Sequence, residues 1–227
     1  MFKKILVSAA LMAATAAFAA DLPSVKILAT GGTIAGTAAS STQTTGYKAG
    51  DLGIQTLIEA VPAMKDYANV SGEQVVKISS NNMDTKTLLK LAKRVNELLA
   101  DPKVDAVVIT HGTDTLEETA YFLNLVTKSD KPVILVGAMR PATAISADGP
   151  MNLLEAVRVG STPETKGKGV MIVMNDDING ARDVTKTNTT NPATFKSPEL
   201  GAKCLVRSNK VSFYKPSPKR HTTHSEF

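Results

Sequence analysis

The sequence has little of the residues from which several classes of site are built. Its 227 residues include one Cys, three His and no Trp. Cys204 has no partner for an internal disulfide, and His111, His221 and His224 lack the spacing of a zinc site. Four Tyr and six Phe offer few stacking platforms for single-stranded nucleic acid. These shortages argue against a disulfide scaffold, a zinc protein and a single-strand binder.

The sequence also lacks a strong excess of charge of one sign. Lys and Arg number 26 and Asp and Glu 21, which gives a net charge of +5. The basic residues are scattered rather than clustered, so the charge does not indicate nucleic-acid binding. Apolar residues make up 43% of the chain and charged residues 21%. That balance is typical of a globular protein that can bury a core.

The N-terminus has the pattern of a secretory signal peptide. Lys3 and Lys4 precede the apolar run Ile5–Ala14, and Ala17–Ala19 has the small-x-small form of a cleavage site. The alternative, a membrane anchor, would need about 20 consecutive apolar residues, and polar residues interrupt this run. We therefore expect cleavage after Ala19, a periplasmic location and no membrane association of the mature chain.

The segment Val104–Asn124 organises the rest of the sequence. Ala106–Ile109 is a short apolar run typical of a buried strand, and apolar residues recur at helical spacing from Leu116. Between them lie Thr113 and Asp114, at the carboxyl end of the strand, which is where ligands bind in open α/β sheets. The alternative is that these residues only cap the helix. Other hydroxyl-rich strand ends in the chain favour a site.

One of these follows the first predicted strand of the mature chain. Val25–Thr30 runs into the glycine-rich turn Gly31–Thr37. The dinucleotide fingerprint fails because Thr33 occupies the position of its second glycine, and the phosphate loop fails because Thr37 follows Gly36 with no Lys between them. What remains is the Thr33 hydroxyl, presented by glycines that allow close backbone approach.

Strand and helix patterns alternate along the chain. This alternation predicts an α/β fold of three layers, with a largely parallel sheet and helices on both faces. A polar segment, Asn175–Thr190, is expected to be a loop. The other predicted elements are strands Gln74–Ser79, Pro132–Val136 and Gly169–Met174, helices Ile54–Ala60, Thr85–Leu99 and Met151–Val159, and a hairpin over Ala202–Tyr214 that turns at Ser208-Asn209.

A threonine nucleophile needs a base, because its hydroxyl is protonated at neutral pH. His111 is the one histidine near a predicted strand end. A relay of Thr113, Asp114 and Lys186 is an alternative, in the manner of Ser-Lys variants of the catalytic triad. Lys186 on its own is more typical of a solvated loop lysine.

The polar segment Ala38–Gly50 predicts a mobile loop able to close over a site. Its one large side chain is Tyr47. That residue is either part of a lid or simple loop packing, and the sequence leaves both open.

Five segments of the chain resemble bacterial type II L-asparaginases, in the same order and over almost the whole mature chain. The TGGTIAG and HGTDT motifs are specific to the asparaginase/glutaminase family. The segments are ILATGGTIAGT (27–37), GEQVVKISSNNMD (72–84), VVITHGTDTLEETAYFL (107–123), KPVILVGAMRPATAISADGPMNL (131–153) and VMNDDINGARDVTKTNTTNPATFKS (173–197).

The resemblance implies a function and a set of site residues. The reaction would be hydrolysis of L-asparagine, with L-glutamine as a second candidate substrate, through an acyl-threonine intermediate and without metal or organic cofactor. The implied catalytic residues are Thr33, Tyr47, Thr113, Asp114 and Lys186. The implied substrate-binding residues are Ser80, Asn81, Thr113, Asp114 and Ala138, the last through its backbone.

Three departures from the family pattern affect these expectations. Asn81 stands where such enzymes usually have Gln or Glu, which leaves the choice between asparagine and glutamine open. The disulfide of some members cannot form. The family also has a second domain, which completes the site of a neighbouring subunit in a homotetramer. We therefore expect a signal peptide (1–19), an N-terminal catalytic domain (20–214) and the start of a linker (215–227), with the second domain absent. The alternative function is an inactive periplasmic amino-acid-binding fragment.

Overall fold

The computed structural model describes residues 22–207, 210–216 and 219–227. The predicted signal peptide and the predicted turn at Ser208-Asn209 lie outside them. Within these ranges the chain forms ten strands and four α-helices. The helices are α1 (Ile54–Glu59), α2 (Thr85–Ala100), α3 (Leu116–Val126) and α4 (Gly149–Ser161). The strands are β1 (Ser24–Gly31), β2 (Asn69–Ile78), β3 (Ala106–Thr110), β4 (Val133–Val136), β5 (Val170–Met174), β6 (Asp177–Gly180), β7 (Thr185–Lys186), β8 (Phe195–Lys196), β9 (Cys204–Arg207) and β10 (Lys210–Phe213).

Eight strands form the central sheet, in the order β10-β9-β6-β5-β4-β3-β1-β2. The five strands β1 to β5 are parallel to one another. β6, β9 and β10 add an antiparallel edge beside β5. Because β2 lies on one side of β1 and β3 on the other, the chain reverses its direction of travel across the sheet beside β1. This is the topological switch point at which open α/β sheets place their ligands.

Side chains alternate along each central strand between two apolar layers. In β3, Ala106 and Val108 pack on one face, while Val107 and Ile109 pack on the other. The first layer includes residues of α1 and α4, and the second includes residues of α2 and α3. β3, β4 and β5 are buried along their whole length, as strands covered on both faces must be. The predicted three-layer α/β architecture is confirmed.

The structure differs from the prediction mainly in the segment expected to be a polar loop. Residues 177–180 and 185–186 form β6 and β7 there, and β7 pairs with β8 in a small sheet of its own. β2 also begins at Asn69, five residues before the predicted start. No helix of the described residues is long and apolar enough to cross a membrane.

Candidate active site

A cavity of about 540 Å³ opens at the carboxyl ends of β1, β2 and β3, beside the switch point. Its volume lies in the range of pockets for small molecules. Hydroxyl and backbone groups dominate the lining. The lining residues are Gly32, Thr33, Thr44, Thr45, Gly46, Tyr47, Ala49, Ser79, Ser80, Gly112, Thr113, Asp114, Met139, Arg140, Lys186, Thr189 and Thr190.

Thr33 reaches this cavity because two glycines turn the chain sharply after β1. Gly31 and Gly32 have φ of 112° and 78°, backbone angles that residues other than glycine rarely adopt. A Cβ on Gly32 would lie 2.3 Å from the Cα of Gly112, so the turn and the end of β3 are in close backbone contact. Thr33 then begins a short 3₁₀ turn, with only 8% of its surface exposed.

Tyr47 lies against Thr33. Their hydroxyl oxygens are 2.6 Å apart, and the Tyr47 ring packs on Gly36, where a Cβ would be 3.0 Å from the ring. Backbone pairing of Thr37 with Lys48 ties the two ends of the loop together. The loop therefore brings the Tyr47 hydroxyl to the cavity.

Thr113, Asp114 and Lys186 also meet in the cavity, although 72 residues separate Asp114 from the lysine. The Lys186 ammonium donates to Thr113 Oγ1 at 2.9 Å and to Asp114 Oδ1 at 2.7 Å. Thr113 and Asp114 lie on a 3₁₀ turn that leads into α3. A hydroxyl, a carboxylate and an ammonium thus form one hydrogen-bonded group, as the predicted relay requires.

Ser80 connects the end of β2 to this group. Its hydroxyl oxygen accepts from the backbone N–H of Asp114 at 3.1 Å, and its carbonyl accepts from the Thr115 hydroxyl at 2.8 Å. Asn81 lies on the same 3₁₀ turn but is exposed and does not line the cavity.

The predicted backbone contact at Ala138 lies just behind the cavity wall. Ala138 is fully buried, and the next two residues, Met139 and Arg140, line the cavity. The Asp148 carboxylate accepts from the backbone N–H groups of Met139 at 2.9 Å and Arg140 at 3.0 Å. This carboxylate fixes the segment that follows β4.

His111 does not belong to the cavity lining. It is fully buried, and burial lowers its pKa to about 4, so the ring is neutral. Nδ1 lies 2.7 Å from the carbonyl oxygen of Gly112 and Nε2 lies 3.0 Å from the Thr119 hydroxyl. A carbonyl can only accept, so Nδ1 carries the proton and Nε2 accepts from Thr119. Both ring nitrogens are already engaged in these hydrogen bonds.

Several lining residues were not predicted. Arg140 and the threonines at 44, 45, 189 and 190 border the cavity, but they lie in loops where no periodic pattern marks which side chains face inward. No group of three or more potential metal-ligating side chains occurs in the part of the chain that the structure describes.

The fold and this cavity define an α/β protein with a hydroxyl-rich, small-molecule-sized site at its switch point. The chain belongs to the asparaginase family: the family model described as "Asparaginase, N-terminal" matches residues 24–219. Over 207 residues it is 61% identical to L-asparaginase 2 of Bacillus subtilis, covering 91% of this chain and 55% of that protein.

A second relative is a protein of Haemophilus influenzae named probable L-asparaginase periplasmic. It is 54% identical over 209 residues, which cover 92% of this chain and 59% of the relative. Among solved structures, the probable cytoplasmic L-asparaginase of Campylobacter jejuni superposes with a TM-score of 0.88 at 53% identity, covering 90% of this chain and 62% of that one. The chain thus spans between half and two thirds of the length of these proteins.

Proposed function

We propose that the chain carries the nucleophile and substrate-binding groups of an amidohydrolase that converts L-asparagine to L-aspartate and ammonia. L-Glutamine is the second candidate substrate. One observation carries the proposal: two hydroxyl-centred groups, Thr33 with Tyr47 and Thr113 with Lys186, border the same cavity. The names of the relatives add support.

In this proposal Thr33 is the nucleophile. Its oxygen forms a bond to the carbon of the side-chain amide, and the C–N bond then breaks, with the nitrogen leaving as ammonia after it gains a proton. Water next attacks the aspartyl ester, releases L-aspartate and returns a hydrogen to Thr33. Tyr47, 2.6 Å from the Thr33 oxygen, is placed to assist each proton transfer.

The second group, Thr113 with Lys186 and Asp114, is suited to activate the attacking water and to hold the substrate. The Lys186 ammonium donates to Thr113 Oγ1 and so favours negative charge on that oxygen. Thr113 is therefore suited to accept the proton of the attacking water. Asp114, which lines the cavity and has a mostly exposed side chain, is suited to bind the substrate's ammonium group. We assign Ser80 to the carboxylate and ammonium end, together with Asn81, which follows Ser80 on the same turn but lies outside the cavity lining, and the Ala138 backbone to the side-chain amide.

For location and assembly we propose a periplasmic protein, with residues 20–214 as the catalytic domain, and a homotetramer for the full-length form. The signal-peptide pattern before Ala20 supports export, as does the name of the Haemophilus relative. The homotetramer is supported by the family resemblance.

The test measures ammonia released from L-asparagine by the purified protein and by a Thr33→Ala variant. Mass spectrometry of acid-quenched samples should find an aspartyl ester on the peptide that contains Thr33. Equal rates for the two proteins would reject the role of Thr33. Saturable aspartate binding with no ammonia release would favour the amino-acid-binding alternative.

A further inference from the structure

Lys186 lies on an element that is too short to fix its position alone. β7 consists of Thr185 and Lys186, and among the described strands it pairs with the equally short β8 alone, outside the main sheet. Two-residue strands supply few hydrogen bonds, so the contact between Lys186 and Thr113 depends on something else that joins β7 to the main sheet and its helices.

The Glu117 carboxylate makes that connection. One oxygen accepts from the Thr185 hydroxyl at 2.9 Å, and the other accepts from the backbone N–H of Lys186 at 2.5 Å. Glu117 is partly buried in the first turn of α3, directly after the turn that carries Thr113 and Asp114. Val184 and Phe195 pack in the apolar layer that includes α3 and so hold the small sheet to the core, while Glu117 is the side chain that links β7 to the segment carrying the two partners of Lys186.

A simpler explanation of Glu117 is its place at a helix N-terminus, where the helix dipole favours carboxylates. Glu118 occupies the same first turn and is exposed, so it has that benefit equally. Glu117, unlike Glu118, also accepts two hydrogen bonds from β7, from residues 68 and 69 positions further along the chain. The dipole does not account for them.

We propose that Glu117 is a positioning residue of the active site, acting through Lys186. It holds the Lys186 backbone so that the ammonium reaches both Thr113 and Asp114. This inference rests on the proposed function, because it assigns Lys186 a part in the reaction. Glu117 does not line the cavity and is given no contact with substrate.

The kinetic test compares three variants with the unchanged protein. Misplacement of a catalytic group by about 1 Å costs on the order of 10²-fold in rate, so Glu117→Ala should lower kcat by about that factor and leave KM for L-asparagine nearly unchanged. Glu117→Gln keeps one acceptor oxygen and should restore most of the rate. Glu118→Ala, the matched control, should behave like the unchanged protein. An equal loss in Glu118→Ala, or none in Glu117→Ala, would overturn the proposal.

A double variant tests whether Glu117 acts through Lys186. If it does, adding Glu117→Ala to Lys186→Met should cause little further loss, because the group it positions is already gone. Multiplicative losses would overturn the proposal and indicate that Glu117 acts elsewhere. Melting temperatures show that each protein compared is folded, and Glu117→Leu, which keeps the bulk of the side chain but has no acceptor, replaces Glu117→Ala if that variant does not fold.

A third readout does not depend on turnover. The Lys186 backbone N–H donates to a carboxylate, so its proton resonance should move upfield in Glu117→Ala and stay in place in Glu118→Ala. If the unchanged protein and Thr33→Ala both release no ammonia, the proposed function fails, and this resonance still decides whether Glu117 positions Lys186. An unchanged resonance in Glu117→Ala would overturn the inference alone.

Discussion

The hydroxyl oxygens of Thr33 and Tyr47 lie 2.6 Å apart, the closest pairing of side chains in the candidate site. Thr33 is fixed by the glycine turn after β1, and Tyr47 is carried by a loop whose ends are tied by Thr37 and Lys48. Asp51 adds to this tie, since it pairs with Lys48 and accepts from the Thr37 hydroxyl at 2.7 Å, and the contact with Lys48, followed by that with Thr37, lowers the pKa of Asp51. The proposed nucleophile and its proposed assistant therefore belong to one continuous stretch of chain.

Tyr47→Phe removes only the hydroxyl from this pair. The ring still packs on Gly36, so we expect an unchanged melting temperature. A positioned proton-transfer group contributes on the order of 10²-fold or more, and kcat for ammonia release should fall by that factor. Tyr47→Phe with full kcat would show that the tyrosine serves only as loop packing, the reading that the sequence left open.

Lys186 and Asp114 differ sharply in exposure, with 14% and 62% of their side-chain surfaces exposed. Asp114→Ala would leave a mostly buried ammonium with only the Thr113 hydroxyl, whereas Lys186→Met leaves a carboxylate that water solvates. We therefore expect Asp114→Ala to lower the free energy of unfolding more than Lys186→Met. Urea unfolding of both variants tests this order.

The same pair should behave as a unit in catalysis. If Lys186 acts on Thr113 in concert with Asp114, the losses in kcat from the two single variants should be far from additive in the double variant. Ammonia release measured for all four proteins gives the coupling directly. Additive losses would assign Asp114 to substrate binding alone.

Of the five parallel strands, β3, β4 and β5 could be predicted best, because each is a short, largely apolar run that ends in a polar turn. β3 and the start of α3 at Leu116 are the clearest cases. β6 could not be predicted in the same way, since its sequence Asp177-Ile-Asn-Gly180 has one large apolar residue. It is a strand because Ile178 packs in the core and its backbone pairs with β5 and β9.

The position of the candidate site in the fold could be predicted better than the orientation of each of its side chains. Strand ends at Thr33, Ser80 and Thr113 converge as parallel topology requires. Ser80 and Asn81 lie on a three-residue 3₁₀ turn. In so short an element no periodic pattern shows which side chain faces inward, and Asn81 faces solvent. Lys186 entered as one member of a possible relay and was then implied by the family resemblance, because nothing in its local pattern distinguishes it from a solvated lysine.

Because Asn81 is exposed, Asn81→Gln should have a small effect. The added methylene extends the amide without removing a donor or acceptor, so KM for L-asparagine should change by less than tenfold, about 1.4 kcal/mol, with kcat little altered. Steady-state kinetics on both amides would reveal any change in preference. A large fall in kcat would place Asn81 in the chemistry.

His111 predicts a loss of stability in mild acid. Burial holds its folded-state pKa at about 4, below the ordinary value of about 6.5, so the unfolded chain binds a proton that the folded protein excludes. The free energy of unfolding should be unaffected above pH 6.5 and should fall by roughly 3 kcal/mol between pH 6.5 and 4. In His111→Gln, which keeps a donor and an acceptor, this contribution should vanish. If the free energies of unfolding of His111→Gln and the unchanged protein differ by the same amount at every pH, His111 does not have the lowered pKa.

Glu155 predicts the opposite dependence on pH. Its carboxyl is buried beside Asp176, and burial together with that neighbouring carboxylate raises its pKa to about 8. One Glu155 oxygen accepts from the Asp176 backbone N–H at 3.3 Å. The nearby Arg158 donates to the Tyr67 hydroxyl at 2.9 Å and lies over that ring. Glu155 is therefore protonated in the folded protein at neutral pH.

The stability that this proton provides is present below the ordinary glutamate pKa of about 4.5 and is lost as the pH rises through 8. Between these values the free energy of unfolding should fall by about 1.4 kcal/mol for each pH unit. Glu155→Gln keeps the shape and a donor toward Asp176 but does not ionise, so it should be more stable than the unchanged protein at pH 8, with the gain shrinking toward pH 5. Glu164→Gln, at an exposed position after α4, is the control and should show no such trend. Urea unfolding of the three proteins from pH 5 to 8 tests this, and parallel curves for the unchanged protein and Glu155→Gln would mean that Glu155 is ionised in the fold.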